Sequence, residues 1–215
     1  MTTLIKPDWP APSNVVAGSA TRNTQSGELP EKLYYLNQVH GAAVVSAHAL
    51  RDAEEPLDAD AVTGQQAGDV CAVRTADCLP VLFCSIDGSR VAAAHAGWRG
   101  LAAGVLENTV DAMGVAPDAL LAWLGPAVSQ PNFEVGEEVR EAFMAHDSEA
   151  GACFEPNARG RWQADLDALA RQRLASVGVQ AVSGGGWCTF ADSGRFFSYR
   201  RARDTGRMVS FVALK

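Results

Sequence analysis

Histidine is scarce in this sequence: the 215 residues hold four, His40, His48, His95 and His146. Long apolar runs are missing too. The opening stretch, MTTLIKPDWPAPSNVV, offers nothing long enough for a signal peptide or a membrane span, so a cytoplasmic location is predicted. No block of basic residues stands out in a chain of net charge -7, which argues against nucleic acid or an anionic membrane as the main partner. None of the five cysteines, Cys71, Cys78, Cys84, Cys153 and Cys188, forms a C-x-x-C pair, so zinc ribbons and thioredoxin-type motifs are excluded. Internal repeats and low-complexity segments are absent as well.

What is present suits one globular domain over residues 1–215, with 47% hydrophobic and 20% charged residues. The first thirty residues read as loop, with a short strand near NVVAGSA. KLYYLNQV and AAVVSA read as strands parted by Gly41, and RDAEEPLDAD, residues 51 to 60, as an acidic surface loop. DVCAVRT and PVLFCSI are β-prone, and Asp87-Gly88 predicts a hairpin from PVLFCSI into RVAAAHA. Helical spacing follows in LAAGVLENTVDAM, stopped by Gly114, then in GEEVREAFMAH and in ADLDALARQRLASVG, with the strand ALLAWLG before the second. VQAVSGGGWCT predicts a strand running into a glycine-rich loop, and RFFSYRRA with RMVSFVAL a closing hairpin. Strands with interleaved helices predict a mixed sheet or two-sheet core of the α+β class.

Three residues recur in one kind of place. His40 and His95 each end a predicted strand and precede a glycine-containing turn, and Cys78 lies just past a strand at a proline-marked turn. Strand ends are where a rigid scaffold displays functional groups. Two histidines and one cysteine, with a fourth position open, make a catalytic zinc set. The spacings match no recognised metal motif, so spacing alone leaves Cys78 as ligand, nucleophile or small core residue.

Five blocks, NQVHG, ADCLPVLF, AAAHAGWRG, LGPAVSQPNFEVG and FFSYRRARDTGRM, occur here in one order. Together they resemble the YfiH family, also called the laccase-domain or polyphenol-oxidase family, over about residues 35–215. The resemblance implies a four-layer fold, a β-sandwich of mixed sheets with helices on both outer faces. It implies metal ligands at His40, Cys78 and His95, with zinc expected and copper the alternative. It implies phosphorolysis of adenosine, inosine, guanosine or methylthioadenosine, with adenosine deamination in some members. The expected partners are small purine nucleosides and phosphate, met by a monomer or weak dimer. One departure stands out. Family members carry a longer N-terminal segment, whereas here VAGSATRNTQSG keeps Thr21-Arg22 without the glycine pair, which predicts a shallow, open pocket.

Around the trio, Asp77 is expected to orient a ligand histidine, to touch substrate as a catalytic acid, or simply to cap its turn. Arg99, ahead of a predicted helix, and Arg22 are expected to meet phosphate, and Gln38 substrate. Trp98 would stack on a purine or pack, and Gly184 to Gly186 would approach the pocket. The other four cysteines read as structural, and His48 and His146 as unrelated to metal. Three rival readings stand. A multicopper oxidase of phenols needs more histidines than the four present. A cysteine hydrolase would use Cys78 as nucleophile and His95 as base. A zinc-binding remnant would have lost its pocket with the N-terminal segment.

Overall fold

Alternation within one strand sets the layers. In the computed structural model, which describes residues 3–215, β6 (Leu79–Ser85) turns Leu79, Val81 and Phe83 to one face and Leu82 and Cys84 to the other. All are fully buried, so the strand must lie between two apolar layers.

Two sheets build the sandwich. One is four-stranded and antiparallel, in the order β1 (Leu4–Ile5), β2 (Val15–Ala20), β13 (Met208–Leu214), β5 (Val70–Thr75). The other is six-stranded and mixed, in the order β12 (Ala181–Gly184), β8 (Leu120–Leu124), β6, β7 (Val91–Ala96), β4 (Ala61–Gly64), β3 (Val44–Ser46). A third, small sheet joins β9 (Glu134–Val135), β10 (Phe154–Pro156) and β11 (Trp162–Ala164). Val73 and Val212 of the first sheet meet Val62, Leu82, Ala93 and Trp123 of the second in the inner core.

The outer face of the six-stranded sheet carries α2 (Trp98–Ala102), α3 (Val105–Met113), α4 (Glu137–Met144) and α5 (Leu166–Ser176), which pack Leu101, Val105, Phe143 and Leu169 against Val81 and Phe83. Phe83 is wholly enclosed there, and its truncation to alanine would cost about 3–5 kcal/mol. The outer face of the four-stranded sheet is covered more lightly, by Leu29, Leu33 and Tyr35 of an extended segment. The α+β sandwich expected from the sequence is present, with α2 to α5 on the outer face of the six-stranded sheet and an extended segment, where a helical layer was expected, on that of the four-stranded sheet.

Some elements differ from the sequence reading. Residues 32–39 form no strand, only a bridge from Asn37 to Asp58, although Tyr35 packs in the outer cluster and Leu36 in the inner core as strand neighbours would. The predicted helix after Gly100 breaks at Gly104 (φ 93°) into α2 and α3. The acidic stretch begins within α1 (Ala47–Asp52), whose start is capped by the Ser46 hydroxyl, and it ends on Asp60, which is fully buried. RFFSYRRA makes turns instead of a strand. The Arg201 guanidinium gathers the carbonyls of Thr189, Phe190 and Phe196, which ties these turns to the preceding loop.

Candidate metal centre

His95 stands on β7, in the interior of the six-stranded sheet, and is 3% exposed. His40 sits in a loop, exposed, with φ 61°. Cys78 lies between β5 and β6, after Asp77 at φ 95°. These two are the described residues other than glycine with positive φ, a conformation that costs about 1–3 kcal/mol and collects at functional sites. The three side chains converge: one donor atom from each of His40, Cys78 and His95 lies within 4.8 Å of the others. The two imidazoles meet edge to face at 4.9 Å. No other group of three such side chains occurs among the described residues.

Glycine makes room for this convergence. A Cβ on Gly97 would lie 2.9 Å from Cys78 Sγ and 3.3 Å from His40 Cδ2. A Cβ on Gly100 would lie 2.6 Å from the Gly41 carbonyl oxygen. The GWRG block thus seats α2 against the His40 loop.

Asp60 was missed by sequence reasoning, which placed it in a surface loop. Its carboxylate meets His95 Nδ1 at 2.7 Å and accepts the N–H groups of His40 at 3.0 Å and Gly41 at 2.6 Å. The usable signal was its place directly before the apolar strand AVTG. Burial works against charge at all three groups, but hydrogen bonds prevail. They hold Asp60 below the usual carboxylate range, raise His95 to about 9, and bring Cys78 down to about 6 through contact with both histidines.

The remaining expected residues divide. Asp77 does not reach the histidines. Its carboxylate accepts Thr189 Oγ1–H at 2.6 Å, Ser198 Oγ–H at 3.0 Å and Arg200 N–H at 2.7 Å, which tie the Cys78 loop to the C-terminal segment. Gln38 pairs with the N–H and C=O of Arg74, replacing a strand neighbour on the open edge of β5. Arg22 is directed away: its guanidinium donates to the Ser193 carbonyl and lies over Phe197. Gly184 to Gly186 sit against Trp123 and Asp167, outside the cavity wall. Arg99 does line the cavity, lying 4.5 Å over the Trp98 ring, but α2 is five residues long and adds little dipole.

The trio closes one part of a cavity of about 840 Å³. Four arginines line it, Arg74, Arg99, Arg200 and Arg207, and none of them pairs with a carboxylate among the described residues. Trp98, Val128, Phe133 and Leu166 supply apolar wall, and Asp77 is the one acid.

The chain matches the family described as multi-copper polyphenol oxidoreductase laccase over residues 11–215. The chain belongs to the YfiH laccase-domain family. Among its YfiH-family relatives, a protein of Pseudomonas aeruginosa named purine nucleoside phosphorylase is 48% identical, with all of both chains covered. The Escherichia coli purine nucleoside phosphorylase YfiH is 46% identical, again over all of both chains. That alignment runs over 245 positions against 215 residues here, so at least 30 positions of the relative have no counterpart. A crystal structure of a Neisseria meningitidis protein superposes with TM-score 0.93 at 43% identity, covering both chains fully. No helix among the described residues is long and apolar enough to cross a membrane.

Proposed function

We propose that this YfiH-family chain is a zinc-dependent purine nucleoside phosphorylase of the cytoplasm, working in the cavity beside His40, Cys78 and His95. The observation that carries the reading is the convergence of these three donors beside an apolar wall and four arginines that have no carboxylate partner among the described residues. The names of the full-length relatives support it. Five free cysteines suit a reducing compartment.

The donor set fits zinc. Two imidazoles and a readily ionised thiol are borderline-soft ligands, the Gly97 cradle leaves the sulfur unobstructed, and three protein ligands leave a fourth position open. When bound there, zinc supplies Lewis acidity toward a substrate oxygen. The chain does the rest. Arg74 and Arg99 offer forked donors to phosphate, Arg200 and Arg207 add positive charge while holding backbone carbonyls of Glu134, Thr205 and Gly206, and the apolar wall of Val128, Leu166 and the Trp98 and Phe133 rings, each with an arginine over it, takes the purine. In phosphorolysis a phosphate oxygen bonds to the ribose C1′ while the C1′–N9 bond breaks. The electron pair leaves with the purine, which takes up a proton at nitrogen. Holding phosphate and nucleoside together in one cavity is what the protein contributes most directly.

Adenosine deamination ranks second. It calls for a carboxylate to shuttle protons, and Asp77, the one acid lining the cavity, already accepts three hydrogen bonds. The cysteine-hydrolase reading draws on the lowered Cys78 thiol, yet a Cys–His pair has no need of the second histidine that also meets the sulfur.

Metal analysis, a nucleoside screen and thiol labelling test the proposal. One zinc per chain and purine release that requires phosphate are expected, with Cys78 alkylated slowly until a chelator is added. Inosine formed from adenosine without phosphate would reverse the order of the two activities. Bound zinc with no turnover would make the chain a binding remnant, and rapid alkylation of the loaded protein would favour the hydrolase.

A further inference from the structure

Asp60 touches more of the candidate centre than any sequence motif suggests. Its Oδ1 meets His95 Nδ1 at 2.7 Å and accepts the His40 N–H at 3.0 Å. Its Oδ2 accepts the Gly41 N–H at 2.6 Å and the Val39 N–H at 3.2 Å. The Asp60 backbone joins in, since its carbonyl accepts the His95 N–H at 2.7 Å and its N–H donates to the Ala43 carbonyl at 3.0 Å. The residue is fully buried, and it directly precedes β4, the strand paired with β7. One carboxylate therefore grips the strand-borne histidine through its ring and the loop-borne histidine through three successive backbone amides.

We infer that Asp60 is the positioning residue of the metal centre, holding both histidine ligands through one carboxylate. The inference rests on the reading that His40, Cys78 and His95 hold zinc. With Oδ1 as acceptor, His95 carries its proton on Nδ1 and turns an unprotonated Nε2 toward the sulfur and the metal. The same carboxylate holds the His40 backbone at φ 61°, a left-handed conformation uncommon for any residue but glycine. Asp77 is not the orienter, because its carboxylate faces Thr189, Ser198 and Arg200.

Asp60→Asn separates this role from simple packing. Its shape is conserved, but it has one acceptor oxygen where four donors converge. If the amide oxygen stays with His95 and His40, the NH₂ group faces the N–H groups of Val39 and Gly41, and the His40 loop opens. If the amide turns over, the NH₂ group faces His95 Nδ1 and forces the ring proton onto Nε2, which blocks its lone pair. Either way one histidine is lost to the metal.

The decisive measurement is zinc affinity, by competition with a chromogenic chelator, for the wild type and Asp60→Asn, each shown to be folded by circular dichroism. A loss of about 10- to 100-fold is expected in the variant. Equal affinities overturn this inference alone, whereas a wild-type chain that takes up no zinc overturns the metal reading and this inference with it. Should the variant fail to fold, ¹⁵N-histidine spectra of the wild type decide. A proton on His95 Nδ1 in the zinc-loaded protein, with zinc shifting Nε2, is expected, and zinc on Nδ1 overturns the inference.

Discussion

His95 and His40 reach the same sulfur by different routes. His95 is carried by an interior strand, with its backbone in the ladder of β7 and its ring enclosed. His40 is exposed on an irregular loop, in a left-handed conformation, held by hydrogen bonds to a single carboxylate. One donor is fixed by the sheet and the other by side-chain chemistry. The same function is thus supported by strong cooperative structure on one side and by a local clamp on the other.

Substitution should expose the difference. His95→Ala and His40→Ala should each reduce kcat/KM by more than about a hundredfold, beyond the 10- to 100-fold typical of residues that only support a ligand. Their stabilities should part company. His95→Ala strands the buried Asp60 carboxylate and should cost about 3–5 kcal/mol, while His40→Ala should cost about 1 kcal/mol, as alanine must still adopt φ 61°. Chemical denaturation of both metal-free variants measures this, and equal losses would break the comparison.

Gly100→Ala attacks the loop route from outside. Its Cβ meets the Gly41 carbonyl oxygen, a backbone atom with little room to yield, so a loss of about 1–3 kcal/mol and weaker zinc retention are expected together. Asp77→Asn should be milder. It keeps one acceptor for Thr189 but opposes the Arg200 N–H with a donor, which should cost about 1–2 kcal/mol in thermal unfolding without changing zinc stoichiometry.

The smallest effect lies far from the site. Ser85 and Ser89 hold Asp87 down from 3.8 to about 2, so its stabilising contribution is present above pH 4 and is lost as pH falls toward 2. Asp87→Asn should therefore unfold slightly earlier than the wild type at pH 6, the gap should close near pH 2, and activity should not change.

The sheet route was legible in the sequence and the loop route only in part. β5, β6 and β7 announced themselves through continuous apolar runs and the Asp87-Gly88 turn, because burial on both faces leaves a strong local signal. His40, Cys78 and His95 could be picked out at the ends of predicted strands, though no strand leads into His40, and the family resemblance brought them together. Asp60 went unnoticed although it too adjoins a strand. It lies 20 residues from His40 and 35 from His95, and an acid in an acidic run looks solvated until the fold buries it. Asp77 misled for the complementary reason. Its place beside Cys78 suggested chemistry, whereas its partners lie more than a hundred residues away, at Thr189, Ser198 and Arg200.

The interior position of β7 also bears on how the proposed centre would exchange an ion. Amide protons along β7 should exchange with solvent only at the rate of global unfolding, since neighbours on both sides must separate first. Those of residues 39–41 are released once the Asp60 clamp lets go, a local event of far lower cost. Ion turnover should accordingly follow the opening of a three-residue hinge, quick beside the lifetime of the fold, with His95 and Cys78 keeping their places while His40 swings out and returns.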